Sequence, residues 1–354
     1  MHPIMNPGIK KFIMRTLVAA LPLLLLVGIY VVRDPFHVVH PVASTEHGDS
    51  VVAGNNAGVI AVQTYLAHNC ERRYDSFIFG SSMSQNYKAA YWQPYIDKNA
   101  SILHFDASGE SLDGIINKMR FLNEHGSTIK NALIIIEEEM LHRPPHENEI
   151  LYVQHPATSG ASRWFHFHTL FFNAFRNLEM VKEVLQGTND VVSDNVIKNG
   201  DVPNRIEPIN ENYYHHIDSL IEHDPSKFFT PQRLAGRRHA MLPFHNEPAI
   251  NEVVEAKLRT IKEFLVKNKT KYIILVPPCN VKPQLKPQDL WVMRAIFGQE
   301  HVHDFSGAEG YVGNELFYYD KSAHLTSAQC KVLLDSAYKE QHTASLHNPY
   351  YRLK

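Results

Sequence analysis

The chain is poor in cysteine and has no excess of basic charge. Three cysteines in 354 residues, Cys70, Cys279 and Cys330, are too few for a disulfide framework or a cysteine-ligated zinc site. Lys and Arg number 35 against 37 Asp and Glu, and this net charge of −2 argues against nucleic acid as the main partner. The apolar fraction of 44% is large enough for a sizeable core, so wholesale disorder is excluded.

The motifs of common cofactor-dependent and metal-dependent enzymes are absent as well. No Walker A, G-x-G-x-x-G, G-x-S-x-G or H-E-x-x-H pattern occurs, which removes P-loop, dinucleotide-binding, α/β-hydrolase and zincin-type functions. Two His-x-His pairs remain, His166 with His168 and His301 with His303, and on a strand each pair would face one side. A zinc site needs three or four protein ligands, so we predict neither a metal nor a cofactor.

One long apolar run is present, near the N-terminus. Residues 16–32 (TLVAALPLLLLVGIYVV) carry no charge over 17 positions, Lys10, Lys11 and Arg15 precede them, and no acid occurs before Asp34. Such a run can cross a bilayer as a helix, and the preceding positive charge keeps the N-terminus in the cytoplasm. We therefore predict an uncleaved, single-pass signal anchor in a bacterial inner membrane, with the remaining chain extracytoplasmic. A cleaved signal peptide is the second interpretation, and a buried helix of a soluble fold is the third.

Short runs rich in β-branched and aromatic residues alternate with helical patterns in the rest of the chain. The runs are residues 75–79 (DSFIF), 101–105 (SILHF), 132–136 (ALIII), 271–276 (KYIILV) and 301–305 (HVHDF). Ser111 caps one helical pattern that Gly126 ends, a second apolar stripe runs from Ile250 to Leu265, and a third helix begins at Thr326. This alternation predicts an α/β fold, a three-layer αβα sandwich with a five-stranded, parallel, flavodoxin-like sheet.

The distance between the third and fourth runs indicates a large insertion. We divide the chain into residues 1–33 (cytoplasmic N-terminus and transmembrane anchor), 34–69 (linker and lead-in), 70–141 (first part of the α/β domain), 142–248 (insertion) and 249–354 (second part). Within the insertion, residues 164–175 form a dense aromatic cluster. Packing of the insertion onto the sheet is the favoured interpretation of this cluster, and an apolar surface for a membrane or a membrane-embedded partner is the alternative.

The candidate chemistry follows the first run and precedes the last helix. Gly80-Ser81-Ser82-Met83-Ser84 comes directly after a buried strand, where a serine at the start of a helix has a backbone N–H placed to stabilise negative charge. In residues 317–326 (FYYDKSAHLT), His324 lies just before a helix with Asp320 upstream. A histidine oriented by a carboxylate is a general base suited to activating a serine.

Taken together, these segments resemble the SGNH/GDSL-type hydrolase superfamily. FIFGSSMS is similar to the first block of that family, FDASGES fits the second and YDKSAHLT looks like the last. The resemblance covers roughly residues 70–140 and 250–340. It implies Ser82 as nucleophile, His324 as base and Asp320 as the acid behind it, with the backbone N–H groups of Ser82 and Gly109 forming the oxyanion hole. The residues that it places near a substrate are Ser81, Ser84, Ser108 and Glu137.

Within the superfamily, the chain is most similar to membrane-anchored, extracytoplasmic bacterial members such as the D-alanyl transfer protein of teichoic acid synthesis and polysaccharide O-acetylation proteins. That similarity implies a serine esterase or O-acyltransferase acting on acyl esters of a cell-envelope glycan or lipid, and it admits a membrane-embedded acyltransferase as a partner. Nothing in the three residues Ser82, His324 and Asp320 separates hydrolysis from transfer.

Two departures from the family pattern favour an alternative function. The last block usually spaces acid and base as D-x-x-H, whereas three residues separate Asp320 from His324. The third block usually supplies an Asn to the oxyanion hole, whereas Glu137-Glu138-Glu139 stands there, and a carboxylate repels an oxyanion. The alternative is a catalytically weak or inactive SGNH-fold subunit that serves as scaffold or binding module in an envelope-modification complex.

Overall fold

The structure is a computed structural model of the full chain. It describes residues 7–40, 51–52, 56–144, 148–185, 204–206, 209–213, 215–235, 247–280, 285–311, 313–319 and 324–343.

Helices and strands alternate through most of the described chain. The helices are α1 (Pro7–Arg33), α2 (Ala57–Arg72), α3 (Ala89–Trp92), α4 (Leu112–Glu124), α5 (Glu138–His142), α6 (Pro156–Ser159), α7 (Trp164–Phe175), α8 (Leu178–Leu185), α9 (His215–His223), α10 (Pro225–Phe228), α11 (Pro231–Ala235), α12 (Glu252–Lys267), α13 (Pro287–Phe297) and α14 (Ser327–Thr343). The strands are β1 (Val51–Val52), β2 (Ser76–Phe79), β3 (Ile102–His104), β4 (Asn131–Ile135), β5 (Asn204–Ile206), β6 (Glu211–Tyr213), β7 (Lys271–Val276) and β8 (Val302–Asp304).

The central sheet has five strands in the order β3-β2-β4-β7-β8, and every neighbouring pair is parallel. The predicted α/β fold with a five-stranded parallel sheet is therefore confirmed. Counted along the chain, this order is 2-1-3-4-5, so the strand order reverses beside β2. In doubly wound sheets, ligands bind beyond the carboxyl ends of the strands at such a reversal. The turn after β2 occupies that position.

Helices cover both faces of the sheet, because successive side chains of a buried strand point to opposite sides. Phe77 and Phe79 of β2 pack with residues of α2, α4, α12 and α13, whereas Ile78 between them packs with α3 and α14. On the second face, Trp92 is fully buried and its indole N–H donates to the Tyr338 hydroxyl at 2.7 Å. The first helical pattern begins as predicted, with the Ser111 hydroxyl accepting from the Gly114 N–H at 3.1 Å.

A second, smaller sheet joins the lead-in to the predicted insertion. Strand β1 pairs antiparallel with β5, and β5 pairs antiparallel with β6. Residues 209–210, between β5 and β6, reach the central sheet, since the His104 N–H donates to the Ile209 carbonyl at 2.9 Å and the Asn210 side-chain amide donates to the His104 carbonyl at 2.6 Å. The open edge of the central sheet at β3 is thus covered by residues 209–210.

Helix α1 lies outside both sheets. From Gly8 to Arg33 it is long and apolar enough to cross a membrane, and most of its length is exposed. Its last turn packs against α7, whose Phe167, Phe171 and Phe175 are buried. These three rings are therefore buried, but they pack against α1 and the residues that follow it rather than onto the central sheet, where the sequence predicts them.

The predicted placement of His166 and His168 on a strand is wrong. Both lie in α7, where side chains two positions apart diverge around the helix axis. His301 ends a short 3₁₀ helix and His303 lies in β8. Within the described ranges, no three His, Cys, Asp or Glu side chains come together in a way that could hold a metal ion.

Candidate active site

The turn after β2 is built to display Ser82. Gly80 is required there by close packing, because a Cβ at that position would lie 2.7 Å from the Ser84 Cβ and 3.1 Å from the Ile135 Cβ. A 3₁₀ helix then runs from Ser82 to Ser84, and the Ser81 hydroxyl caps it by accepting from the Met83 N–H at 3.2 Å. Ser82 remains partly exposed while its neighbours on both sides are buried.

The imidazole of His324 lies against the Ser82 hydroxyl. The distance from His324 Nε2 to Ser82 Oγ is 2.8 Å. Three backbone contacts fix the histidine: the Tyr319 N–H donates to the His324 carbonyl at 2.8 Å, Tyr318 and Leu325 form a β-bridge, and the Asn86 amide donates to the Leu325 carbonyl at 2.7 Å. The structure thus places the candidate nucleophile beside the candidate base, although they are 242 positions apart in the chain. Asp320 lies outside the described residues.

The segment that carries Gly109 is held by a buried lysine. Lys118 Nζ donates to the carbonyls of Phe105 and Asp106 at 3.0 and 2.7 Å and forms a 2.6 Å ion pair with Glu110 Oε2. Gly109 has φ +57°, a left-handed conformation that favours glycine.

Two observations bear on the predicted oxyanion hole. The Ala107 N–H donates to the Gly80 carbonyl at 3.2 Å, which ties the Gly109 segment to the serine turn. In the described part of the chain, no acceptor takes the backbone N–H of Ser82 or of Gly109. Gly109 and Ser108 also line a small cavity with Tyr152 that Ser82 does not line. Ser82 and Gly109 therefore follow neighbouring strands, β2 and β3, of the sheet.

The three acids after β4 are not all exposed to solvent. Glu138 is buried, and Glu139 forms a 2.9 Å ion pair with Arg143. Burial raises the pKa of Glu137 to about 7, although a hydrogen bond from Ser81 and the charge of Arg143 both oppose the shift. Its Oε2 is inaccessible to solvent and has no hydrogen-bond partner in the described chain. Because the neutral acid is well populated near pH 7, the argument that a carboxylate must repel an oxyanion here loses much of its force.

The serines that the family resemblance places near a substrate have different surroundings. Ser84 is fully buried and its hydroxyl donates to the Ser81 carbonyl at 2.7 Å, so it shapes the turn and offers no hydroxyl to a ligand. Ser81 is also buried, and its hydroxyl accepts from the Met83 N–H and hydrogen-bonds to the Glu137 carboxylate. Ser108 is partly exposed.

No sequence pattern indicates the ionic cluster that joins α9 to the segment carrying His324 before α14, called the histidine loop below. Asp218 accepts from Lys88 Nζ at 2.5 Å and from the Ser327 hydroxyl at 3.0 Å, and it also accepts from the Tyr319 hydroxyl. Lys88 precedes α3, whereas Tyr319 and Ser327 flank His324. One aspartate of the predicted insertion therefore braces both sides of the loop. No local pattern around Asp218 signals this role, because its partners come from two distant segments of the chain.

In comparisons with known proteins, no family model matches the chain, and no curated protein matches it significantly.

Proposed function

We propose that this chain is an extracytoplasmic serine esterase or O-acyltransferase of SGNH-like architecture, acting on acyl esters of a bacterial cell-envelope glycan or lipid. The observation that carries the proposal is the 2.8 Å contact between His324 Nε2 and Ser82 Oγ at the strand-order reversal of a parallel sheet. A hydroxyl and an imidazole at this distance form the nucleophile–base pair of acyl-transfer enzymes.

The chemistry follows from these two side chains. His324 accepts the Ser82 proton as Oγ attacks the ester carbonyl, and the resulting oxyanion accepts hydrogen bonds from the N–H groups of Ser82 and Gly109. Collapse of this intermediate breaks the ester C–O bond, and the imidazolium returns its proton to the departing alcohol. Water or a sugar hydroxyl then attacks the acyl-enzyme with His324 as base, which releases an acid or forms a new ester.

Asp320 is the proposed partner of the second imidazole nitrogen, four positions before His324 in the chain. In triads of this type the acid fixes the tautomer and orientation of the imidazole and stabilises its charged form. Metal ions and cofactors have no part in the proposed mechanism.

The proposed location is the outer face of the inner membrane, with residues 16–32 as the anchor. Tyr30, in the last turn of α1, is only 4% exposed and packs within the same cluster as Phe171 and Phe175. Cleavage after the apolar run would remove that ring from the cluster, which supports an uncleaved anchor over a signal peptide. An acylated glycan or lipid is the proposed substrate, and a membrane-embedded acyltransferase is a partner compatible with this location.

Labelling with a fluorophosphonate tests the proposal, because its phosphorus bonds to an activated serine Oγ while fluoride leaves. The full-length protein is compared with Ser82→Ala, His324→Ala and, as control, Ser336→Ala, whose hydroxyl only caps a carbonyl within α14. We expect labelling of the wild type and Ser336→Ala, and none of the two site variants. Equal labelling of Ser82→Ala overturns Ser82 as nucleophile. No labelling of any folded protein overturns the enzymatic function in favour of the scaffold.

A further inference from the structure

Helices α7 and α8 pack against the outer end of the candidate membrane span. The Tyr30 ring lies 5.6 Å from the Phe172 ring and 5.5 Å from the Phe175 ring, measured between centroids. Leu26 and Ile29 of α1 belong to the same hydrophobic cluster, together with Met180 and Val181 of α8. The two helices are therefore attached to the span itself, on its C-terminal side.

The depth of this attachment can be read along α1. Arg33 is the first charged residue after the apolar run, so it marks the outer boundary of the hydrocarbon. Leu26 precedes it by seven positions, which corresponds to about 10 Å along a helix. In-plane amphipathic helices place their apolar faces roughly 5–10 Å into the boundary between headgroups and acyl chains. The cluster that α7 and α8 share with α1 reaches that depth.

Several of the side chains that these helices leave exposed are large and apolar, alongside the polar His166, Asn173 and Lys182. The exposed fraction is 58% for Trp164, 76% for Phe165 and 78% for Leu178, and Leu185 at the end of α8 is exposed as well. Exposed apolar groups concentrated on one short segment mark an interaction surface, and tryptophan is enriched where a protein meets the membrane–water boundary. Arg163 and Arg176 flank α7, which itself contains no acid. Arginines at such positions extend their charge toward lipid headgroups.

An uncharged groove lies beside α7. It has a volume of about 410 Å³, and its walls include Val38, Leu66, Trp164 and Phe167, with His155 and His168 at one side. Burial lowers the pKa of His155 to about 4 and also lowers the pKa of His168. Both imidazoles are therefore neutral at neutral pH, and an apolar lining without charge suits contact with lipid.

We infer that α7 and α8 form an in-plane membrane-binding platform, in which Trp164, Phe165 and Leu178 lie among the lipids of the bilayer that α1 crosses. The inference rests on the anchor proposed above and is independent of the serine chemistry. Its partner is a phospholipid bilayer. With a span and a platform both in the membrane, the catalytic domain holds one fixed face toward the lipid.

The three tryptophans of the chain provide a direct test. Trp92 is fully buried in the domain core, Trp164 lies on the proposed platform, and Trp291 on α13 is 71% exposed away from it. The full-length protein, Trp164→Phe and the matched control Trp291→Phe are reconstituted into phosphatidylcholine vesicles with and without brominated acyl chains. Bromine quenches only tryptophans that lie among the lipid chains.

We expect brominated lipid to quench the wild type and Trp291→Phe, and Trp164→Phe to lose most of this quenching. Equal fractional quenching of the wild type and Trp164→Phe overturns the platform, as does an unquenched wild type. Retention in the vesicles after alkaline carbonate extraction is measured in parallel. Loss of retention overturns the anchor, so its failure is distinguishable from failure of the platform alone.

Discussion

Ser82 and His324 are 242 positions apart in the chain, and their side chains form a 2.8 Å hydrogen bond. The serine follows the first strand of the parallel sheet and the histidine precedes the last helix. Because parallel strands present their carboxyl ends at one edge, a short turn after β2 and a loop before α14 meet there. The contact therefore depends on the central topology of the fold.

Replacing either member of this pair should abolish hydrolysis of an activated ester. Ser82→Ala and His324→Ala are each expected to lower kcat/KM by roughly 10³-fold or more, since each removes the activated nucleophile. The double variant should lose little beyond the single ones, because the pair acts as a unit. Steady-state hydrolysis of p-nitrophenyl acetate provides the measurement. Additive losses would contradict joint action.

Gly109→Ala should impair catalysis through the backbone. The left-handed φ of +57° is strained for alanine, and the added Cβ would lie 2.8 Å from both the Arg143 Nη1 and the Tyr152 ring. Gly126→Ala is a matched control, because Gly126 also has positive φ, +76°, but nothing lies within 4 Å of the new Cβ. We expect both variants to lose about 1 kcal/mol of stability from strain. Only Gly109→Ala should lower kcat, and equal kcat in the two variants would remove Gly109 from the proposed oxyanion hole.

Glu137→Gln should change how stability depends on pH. The pKa of Glu137 rises from an ordinary 4.5 to about 7 on folding, so the folded protein retains a proton that the unfolded chain releases. Stability contributed by this group is therefore full below pH 4.5 and is lost as pH rises toward 7. The neutral amide lacks this loss and should be the more stable form at pH 8, by on the order of 1 kcal/mol.

Unfolding midpoints of the solubilised protein at pH 5 and pH 8 measure the effect. Glu139→Gln is the control, because Glu139 is half-exposed and paired with Arg143. The same pH dependence in wild type and Glu137→Gln would show that the Glu137 carboxyl titrates normally.

Asp218→Asn should weaken the brace on the histidine loop. The substitution leaves the ammonium of Lys88, a mostly buried group, without its anionic partner. We expect a loss of roughly 1–3 kcal/mol in unfolding free energy and slower fluorophosphonate labelling of the folded protein. Asp224→Asn in the same region removes an exposed ion pair with Lys227 and should change stability by less than about 0.5 kcal/mol. Unchanged labelling of Asp218→Asn would confine Asp218 to a role in stability.

The sequence predicts the sheet and the serine turn because both are encoded locally. The strands β2, β4 and β7 are continuous apolar runs, as expected of strands buried on both faces. The second helical stripe appears as α12, with Val254, Leu258, Ile261 and Leu265 buried, although Val253 is exposed. The last helix begins at Ser327, one position from the predicted Thr326.

Other features depend on tertiary contacts and escape local patterns. Three consecutive acids read as a solvated segment, yet Glu137 and Glu138 turn inward at the junction of a buried strand and a short helix. The aromatic run around His166 has strand-like composition, but its burial repeats every four residues, at Phe167, Phe171 and Phe175, as a helix requires. The role of Asp218 exists only once α9 docks against the histidine loop.

The closure of the β3 edge has a consequence for how the chain folds during synthesis. Asn210 and the Ile209 carbonyl bond to His104, which emerges from the ribosome about a hundred residues earlier. Until the later segment arrives, β3 presents unpaired backbone groups, and exposed strand edges recruit other chains. A polypeptide arrested before residue 204 would leave that edge uncovered. Such a shortened chain would depend on chaperones to shield the backbone groups of β3, whereas the longer chain covers them with residues 209–210.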